Sequence, residues 1–181
     1  MNEVILVDKN DVAIGRMDKM EAHEKALLHR AFSVFIFNSK GEMLLQQRAD
    51  KKYHSAGLWT NACCSHPSPD EDTASAAARR LREELGFSTV LNEAFTFTYR
   101  TDFENGLSEN EFDHVYAGVY DGGVVADKDE VKDFAFISMD EIEKAIALEP
   151  GKFTTWFVIA FPEIKKWIEN KSGAKRRGGK I

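Results

Sequence analysis

The stretch DTASAAARRLREELG, residues 72–86, is a helix set between groups of strands. Ala74, Ala77, Ala78, Leu81 and Leu85 recur at i, i+3, i+4, i+7 and i+11, one apolar stripe at helical spacing. Asp72 or Thr73 is placed to cap its start, and Gly86 falls just past its end. A helix with one apolar stripe needs a single surface to lie on, and the flanking segments predict a sheet. Before it, EVILV (3–7) and VAIGR (12–16) flank the turn DKND as a hairpin. RAFSVFIF (30–37) joins EMLLQQR (42–48) through NSKG as a second. Residues 49–58 read as polar loop and WTNAC as a short strand. After it, EAFTFTYR (93–100), EFDHVYAGVY (111–120) and VKDFAFIS (131–138) alternate as strands. MDEIEKAIAL reads as a short helix, and TTWFVIAFPEIKKWIEN as a longer one that Pro162 kinks or divides. This is not a regular βαβ series. It predicts an α/β (α+β) fold, a mixed β-sheet sandwiched between helices.

WTNACCSHP, residues 59–67, contains Cys63 and Cys64, the only cysteines among 181 residues. Neighbouring cysteines bridge only through a strained ring, so no disulfide framework holds the fold. Zinc sites of three or four cysteines are excluded as well. Reduced thiols fit a reducing compartment and predict a cytoplasmic protein. The start, MNEVILVDKND, lacks the basic, apolar and small-residue parts of a secretory signal. No run approaches the roughly 18 apolar residues of a membrane span. The stretch KSGAKRRGGKI, 171–181, carries five basic residues and no acid; taking these from 24 leaves 19 basic against 30 acidic residues, a body of −11. That sign argues against a nucleic-acid partner. The chain divides into a hairpin and extension (1–29), a main domain (30–170) and a basic tail (171–181) expected to be disordered.

In a strand, residues i and i+2 share a face. Cys64 therefore lies with His66, while Cys63 turns the other way and packs as a small core residue. In SENEF (108–112), Glu109 and Glu111 share a face if a strand begins there, and His23 and His29 precede RAFSVFIF. Histidine with carboxylate suits zinc, manganese, iron or magnesium. His54 and His114 match nothing in this set; His114 reads as sheet packing or solvent, and Trp59 and Trp167 as core. On the helix, Arg79 and Glu83, and Arg80 and Glu84, sit four apart. They form either a salt-bridged surface or a cation site beside phosphate.

EELGF (83–87), with Glu71 and Arg79 ahead of it, is similar to the end of the Nudix signature. Two positions depart: Ser65 stands at the signature's glycine, and Arg80 at the glutamate that follows its arginine. Loss of that acid speaks against pyrophosphate hydrolysis, which gathers metals on several carboxylates. A closer resemblance runs from Val4 to Trp167. LLHRAFSVFIFN, QQRADKKYHSAGLWTNACCSHP, RRLREELG, YRTDFENGLSENEFDHVY and TTWF together resemble the type I isopentenyl-diphosphate isomerase family.

That resemblance implies a Nudix-type sheet and the interconversion of isopentenyl and dimethylallyl diphosphate. It implies Cys64 and Glu111 as the catalytic pair, Tyr99 near the reacting carbons and Trp156 over the alkyl end. It implies one metal (Mn2+, Zn2+ or Mg2+) on His23, His29, His66, Glu109 and Glu111. A Mg2+ shared with the diphosphate follows at Glu84, near the Cys64 backbone, with Lys19, Arg48, Lys52 and Arg80 around the phosphates. On this reading Arg80 supplies a cation to the diphosphate. The expected partner is the small-molecule substrate alone, with no nucleic acid or membrane, and the expected state is monomer or homodimer. Two rival readings remain, a Nudix pyrophosphohydrolase acting on nucleotides and a non-catalytic metal-binding domain.

Overall fold

The computed structural model describes residues 3–177. β3 (His29–Phe37) is the axis of the sheet and is buried along almost its whole length. Its near-continuous apolar run suits a strand covered on both faces. β8 (Ser108–Val119) runs parallel to it, in register from His29 opposite Glu111 to Phe37 opposite Val119. On the other side β6 (Cys63–Ser65) pairs antiparallel, Cys64 opposite Ser33, and β4 (Met43–Arg48) pairs further along. β1 (Glu3–Val7) joins β2 (Ala13–Asp18) as the first hairpin. β7 (Asn92–Asp102) pairs with β8, and β5 (Trp59–Thr60) and β9 (Val131–Ile137) pair with β4.

Period-two alternation sorts the side chains into two cores. Phe32, Val34 and Ile36 of β3, with Leu44 and Cys63, pack under α2 (Thr73–Leu85) through Ala76, Ala77, Leu81 and Leu85. Phe35 and Phe37, with Met43, Leu45 and Val115, pack under Ile142 of α3 (Met139–Leu148) and Trp156, Phe157, Phe161 and Ile164 of α4 (Thr155–Arg177). The sheet is sandwiched between helices, as expected. The stripe of α2 begins on Ala76 rather than Ala74, which is exposed.

Both ends of α2 follow their signals. Asp72 accepts from the Ser75 N–H at 2.9 Å, and Gly86 closes the helix at φ 76°. A Cβ on Gly86 would stand 2.6 Å from the Val125 carbonyl oxygen. Gly86→Ala therefore combines a left-handed backbone with a clash, and is expected to destabilise the protein by about 1–3 kcal/mol. A urea midpoint equal to that of the parent would contradict this.

Three segments differ from expectation. Pro162 does not divide α4, which runs unbroken from Thr155 to Arg177. Phe157, Ala160, Phe161 and Ile164 pack on both sides of it, and that burial outweighs the ~3 kcal/mol of an interior proline. The same helix runs through 171–177, read from sequence as part of a disordered tail; 178–181 lie outside the described residues. WTNAC is two strands, not one. Asn61 is fully buried between them and donates to the carbonyls of Val34 and Cys63, so the chain steps from β4 to β3 without losing backbone partners.

Candidate active site

The α4 side of the sheet carries a polar cluster at one end of β3. Register brings His29 of β3 opposite Glu111 of β8, and Glu111 opposite Tyr99 of β7. Cys64 lies opposite Ser33, two pairs along the same face from Ala31 and Asp113. Because β8 begins at Ser108, Glu109 and Glu111 point the same way. α1 (Lys19–Glu24), capped by Asp18, brings in Lys19 and the fully buried His23.

His23, His29, His66, Glu109 and Glu111 each place one ligand atom within 4.8 Å of the others. The Nδ1 atoms of His23 and His29 lie 2.6 and 2.8 Å from the carbonyls of Lys19 and Leu27. A carbonyl only accepts, so those nitrogens carry the protons and each Nε2 presents a lone pair to the cluster. Nε2 of His23 faces Oε2 of Glu109 at 3.1 Å, and among the described residues neither atom has a hydrogen-bond partner despite burial. Nε2 of His29 lies 3.2 Å from Nε2 of His66, which lies 2.8 Å from Glu111 Oε1. Acceptors packed this closely need a shared cation, and the donor set fits a divalent metal. Titration responds to the same need. Burial disfavours charge on His23, yet Glu109 lifts its pKa above the ordinary value. Burial, helped by Lys19 and His29 and opposed by Glu111, depresses His66 to about 4. Burial would raise Glu109, but contacts from His23 and His54 hold it well below the usual carboxylate range.

A cavity of about 70 Å³ opens against this cluster. Glu111 Oε2 accepts a 2.6 Å hydrogen bond from the Tyr99 hydroxyl. Cys64 enters from β6, its sulfur 4.0 Å from Arg48 NH1. Burial pushes the thiol up to about 12, with Arg48 pulling the other way, so it is protonated at neutral pH. Trp156, 3% exposed at the start of α4, forms a wall, and the Arg48 guanidinium stands 5.4 Å over its ring. Lys19, Arg48, Lys52 and Arg80 line the cavity as well. Burial lowers the Lys19 pKa, against the pull of Glu109 and Glu111.

Most of the residues picked out in the sequence thus converge. Lys19, Arg48, Lys52, Cys64, His66, Arg80, Tyr99, Glu109, Glu111 and Trp156 line one cavity, with His23 and His29 buried behind it. Glu84 does not line it. It lies on α2 beside Arg80, whose NH2 it accepts at 2.6 Å, and receives Gln46 at 3.2 Å. Burial raises its pKa and Arg80 opposes that. Two neighbouring acids also face arginine: Glu71, just ahead of the helix, takes two 2.7 Å bonds from Arg79, and Glu83 is bonded by Arg79 and Arg80. His114 is away from the cluster, bridging Asp11 and Glu93 at 3.0 Å each.

One histidine read as matching nothing belongs to the site: His54 Nε2 lies 2.8 Å from Glu109 Oε1. It sits in the loop after β4, where no periodicity assigns a face; its one sequence signal is its place two residues after Lys52. Asp113 was also passed over, although it continues the 109, 111 alternation. It is 1% exposed and accepts from Ser33 Oγ at 2.7 Å, and burial raises its pKa well above the carboxylate range.

The family described as NUDIX domain matches residues 27–157. An isopentenyl-diphosphate Delta-isomerase of Pectobacterium atrosepticum is 50% identical over 177 residues, which span 97% of this chain and 99% of that protein. One from Serratia proteamaculans is 46% identical over 91% of this chain and 94% of its own. Among solved structures, a Deinococcus radiodurans protein superposes with a TM-score of 0.67 at 18% identity, over 81% of this chain and 89% of that one. A MutT protein of Methanosarcina mazei gives 0.63 at 21%, over 80% and 95%. These two are likenesses of fold alone.

Proposed function

The chain belongs to the isopentenyl-diphosphate Delta-isomerases of the NUDIX family, an enzyme interconverting isopentenyl and dimethylallyl diphosphate, and we propose that Cys64 and Glu111 carry its proton transfers. The observation that supports this pair is their placement. One comes from β6 and the other from β8, on strands flanking β3, and both open into one cavity.

The reaction adds a proton to the terminal alkene carbon and removes one from the carbon two positions away. An alkene is a poor base, so the donor must be held against it with water kept out. Protonation leaves a tertiary cation, and the π face of Trp156 stabilises positive charge without a lone pair to be alkylated. One group gives its proton and the other takes one; in the reverse direction the two exchange roles. Tyr99, bonded to Glu111, holds that carboxyl in one orientation.

His23, His29, His66, Glu109 and Glu111 are the proposed holders of one divalent metal, Mn2+, Zn2+ or Mg2+. Bound there, an ion supplies charge that favours one protonation state of Glu111. Glu84, which here accepts from Arg80 rather than lining the cavity, is with the Cys64 backbone the proposed seat of a Mg2+ shared with the diphosphate. Lys19, Arg48, Lys52 and Arg80 hold the phosphates and turn remote binding into orientation. The acidic body and free thiols support a cytoplasmic enzyme; the proposed partner is its small-molecule substrate and the proposed state monomer or homodimer. Among the described residues, no helix is long and apolar enough to cross a membrane.

Turnover of isopentenyl diphosphate in D2O tests the assignment. The expected result is deuterium in the allylic product, dependent on divalent metal and lost in Cys64→Ser. Phosphate release from nucleoside diphosphate derivatives, with no allylic product, would overturn it in favour of a hydrolase.

A further inference from the structure

The loop between β4 and β5 carries one buried polar side chain to which the mechanism above gives no task. His54 is 7% exposed. Its Nε2 lies 2.8 Å from Glu109 Oε1, and its Nδ1 lies 3.2 Å from Ser55 Oγ. A carboxylate only accepts, so the Nε2 carries the proton and the Ser55 hydroxyl donates to Nδ1. Ser55 is held at φ 51°, a left-handed conformation that a non-glycine residue adopts only under constraint. The ring stacks on Phe103 from the β7–β8 loop, with centroids 4.6 Å apart and planes 12° from parallel. It stands edge-on to Trp156 at 6.0 Å. Its backbone carbonyl accepts from Arg48 at 3.4 Å.

These contacts act on one atom of Glu109. With Oε1 occupied by His54, only Oε2 is left facing His23 Nε2, and both of those atoms lack hydrogen-bond partners. A carboxylate pinned at one oxygen presents the other in a fixed direction, as outer hydrogen bonds do for metal ligands. We propose that His54 is a positioning residue: it pins Glu109 for the metal and joins that pin to the aromatic wall of Trp156 and Phe103. This rests on the reading that the histidine–glutamate cluster holds a metal.

His54→Phe tests it, because phenylalanine keeps the stacked ring and removes the donor. The full-length protein is titrated with Zn2+ against a chromogenic chelator, and thermal midpoints are recorded alongside. The expected result for His54→Phe is a loss of about 10- to 100-fold in Zn2+ affinity with the midpoint close to that of the parent. His54→Gln, which restores an N–H donor, recovers most of the loss. Ser55→Gly suits the positive φ and removes the hydroxyl that fixes the tautomer; it weakens binding in the same direction, by less. The inference fails if His54→Phe binds Zn2+ as tightly as the parent, or if His54→Gln binds as weakly as His54→Phe. Should His54→Phe not fold, Ser55→Gly with unchanged affinity overturns it instead. His66→Ala is the separate control for the cluster: parent-like binding by that variant overturns the metal reading itself.

Discussion

Glu111→Gln is expected to lower turnover of isopentenyl diphosphate by at least about 100-fold, the scale of a lost acid or base. The amide fits the same space and cannot exchange a proton. It also disturbs both contacts of the carboxylate. Oε2 receives the Tyr99 hydroxyl at 2.6 Å, and Oε1 faces His66 at 2.8 Å and His29 at 3.6 Å. An –NH2 in place of Oε2 meets the Tyr99 hydroxyl that already donates there, and in either position the amide brings no negative charge to the cluster. The diphosphate is gripped elsewhere, by Lys19, Arg48, Lys52 and Arg80, so the loss falls on kcat rather than KM. Steady-state kinetics at saturating Mg2+ decide it. A kcat within tenfold of the parent would remove Glu111 from the chemistry.

Cys64→Ser is expected to lose a similar factor for a different reason. Burial holds this thiol near 12. A hydroxyl in its place is a far weaker acid still, and its anion a far stronger base, so one half of each reaction cycle is obstructed in either direction. The substitution removes little volume and leaves the strand pairing with Ser33 intact. Cys63→Ser is the matched control. Cys63 is fully buried on the α2 side of the sheet, away from the cavity, so its substitution should lower the unfolding midpoint and spare kcat. If both serine variants turned over alike, strand alternation would have misassigned the pair.

Much of this was legible from period two alone. Cys64 with His66, and Glu109 with Glu111, share faces because strands alternate, and the helix over 72–86 shows its own cap and stop. Their convergence was not legible from spacing. It depends on the parallel register of His29 with Glu111, a pairing between distant segments; the resemblance implied that these residues share a site but not the pairing that brings them together. His54 was missed because its placement comes from a left-handed Ser55 and a ring from another loop, neither of which leaves a periodic trace. At Pro162 a sound local rule lost to packing on either side of it. The helical assignment of Glu84 was right. That it lies beneath Arg80 rather than in the cavity depends on how α2 is rotated over the sheet.

The parallel pair of β3 and β8 also bears on synthesis. Three of the proposed metal-holding residues precede residue 67, and two follow residue 108. A nascent chain that has not yet delivered β8 has its histidines and its cysteines but no carboxylate to complete the set. It cannot yet assemble the five-residue set or the pairing of Cys64 with Glu111 across the cavity. Parallel pairing of distant strands is slow to form, so metal uptake and activity should appear together, late, when β8 docks against β3.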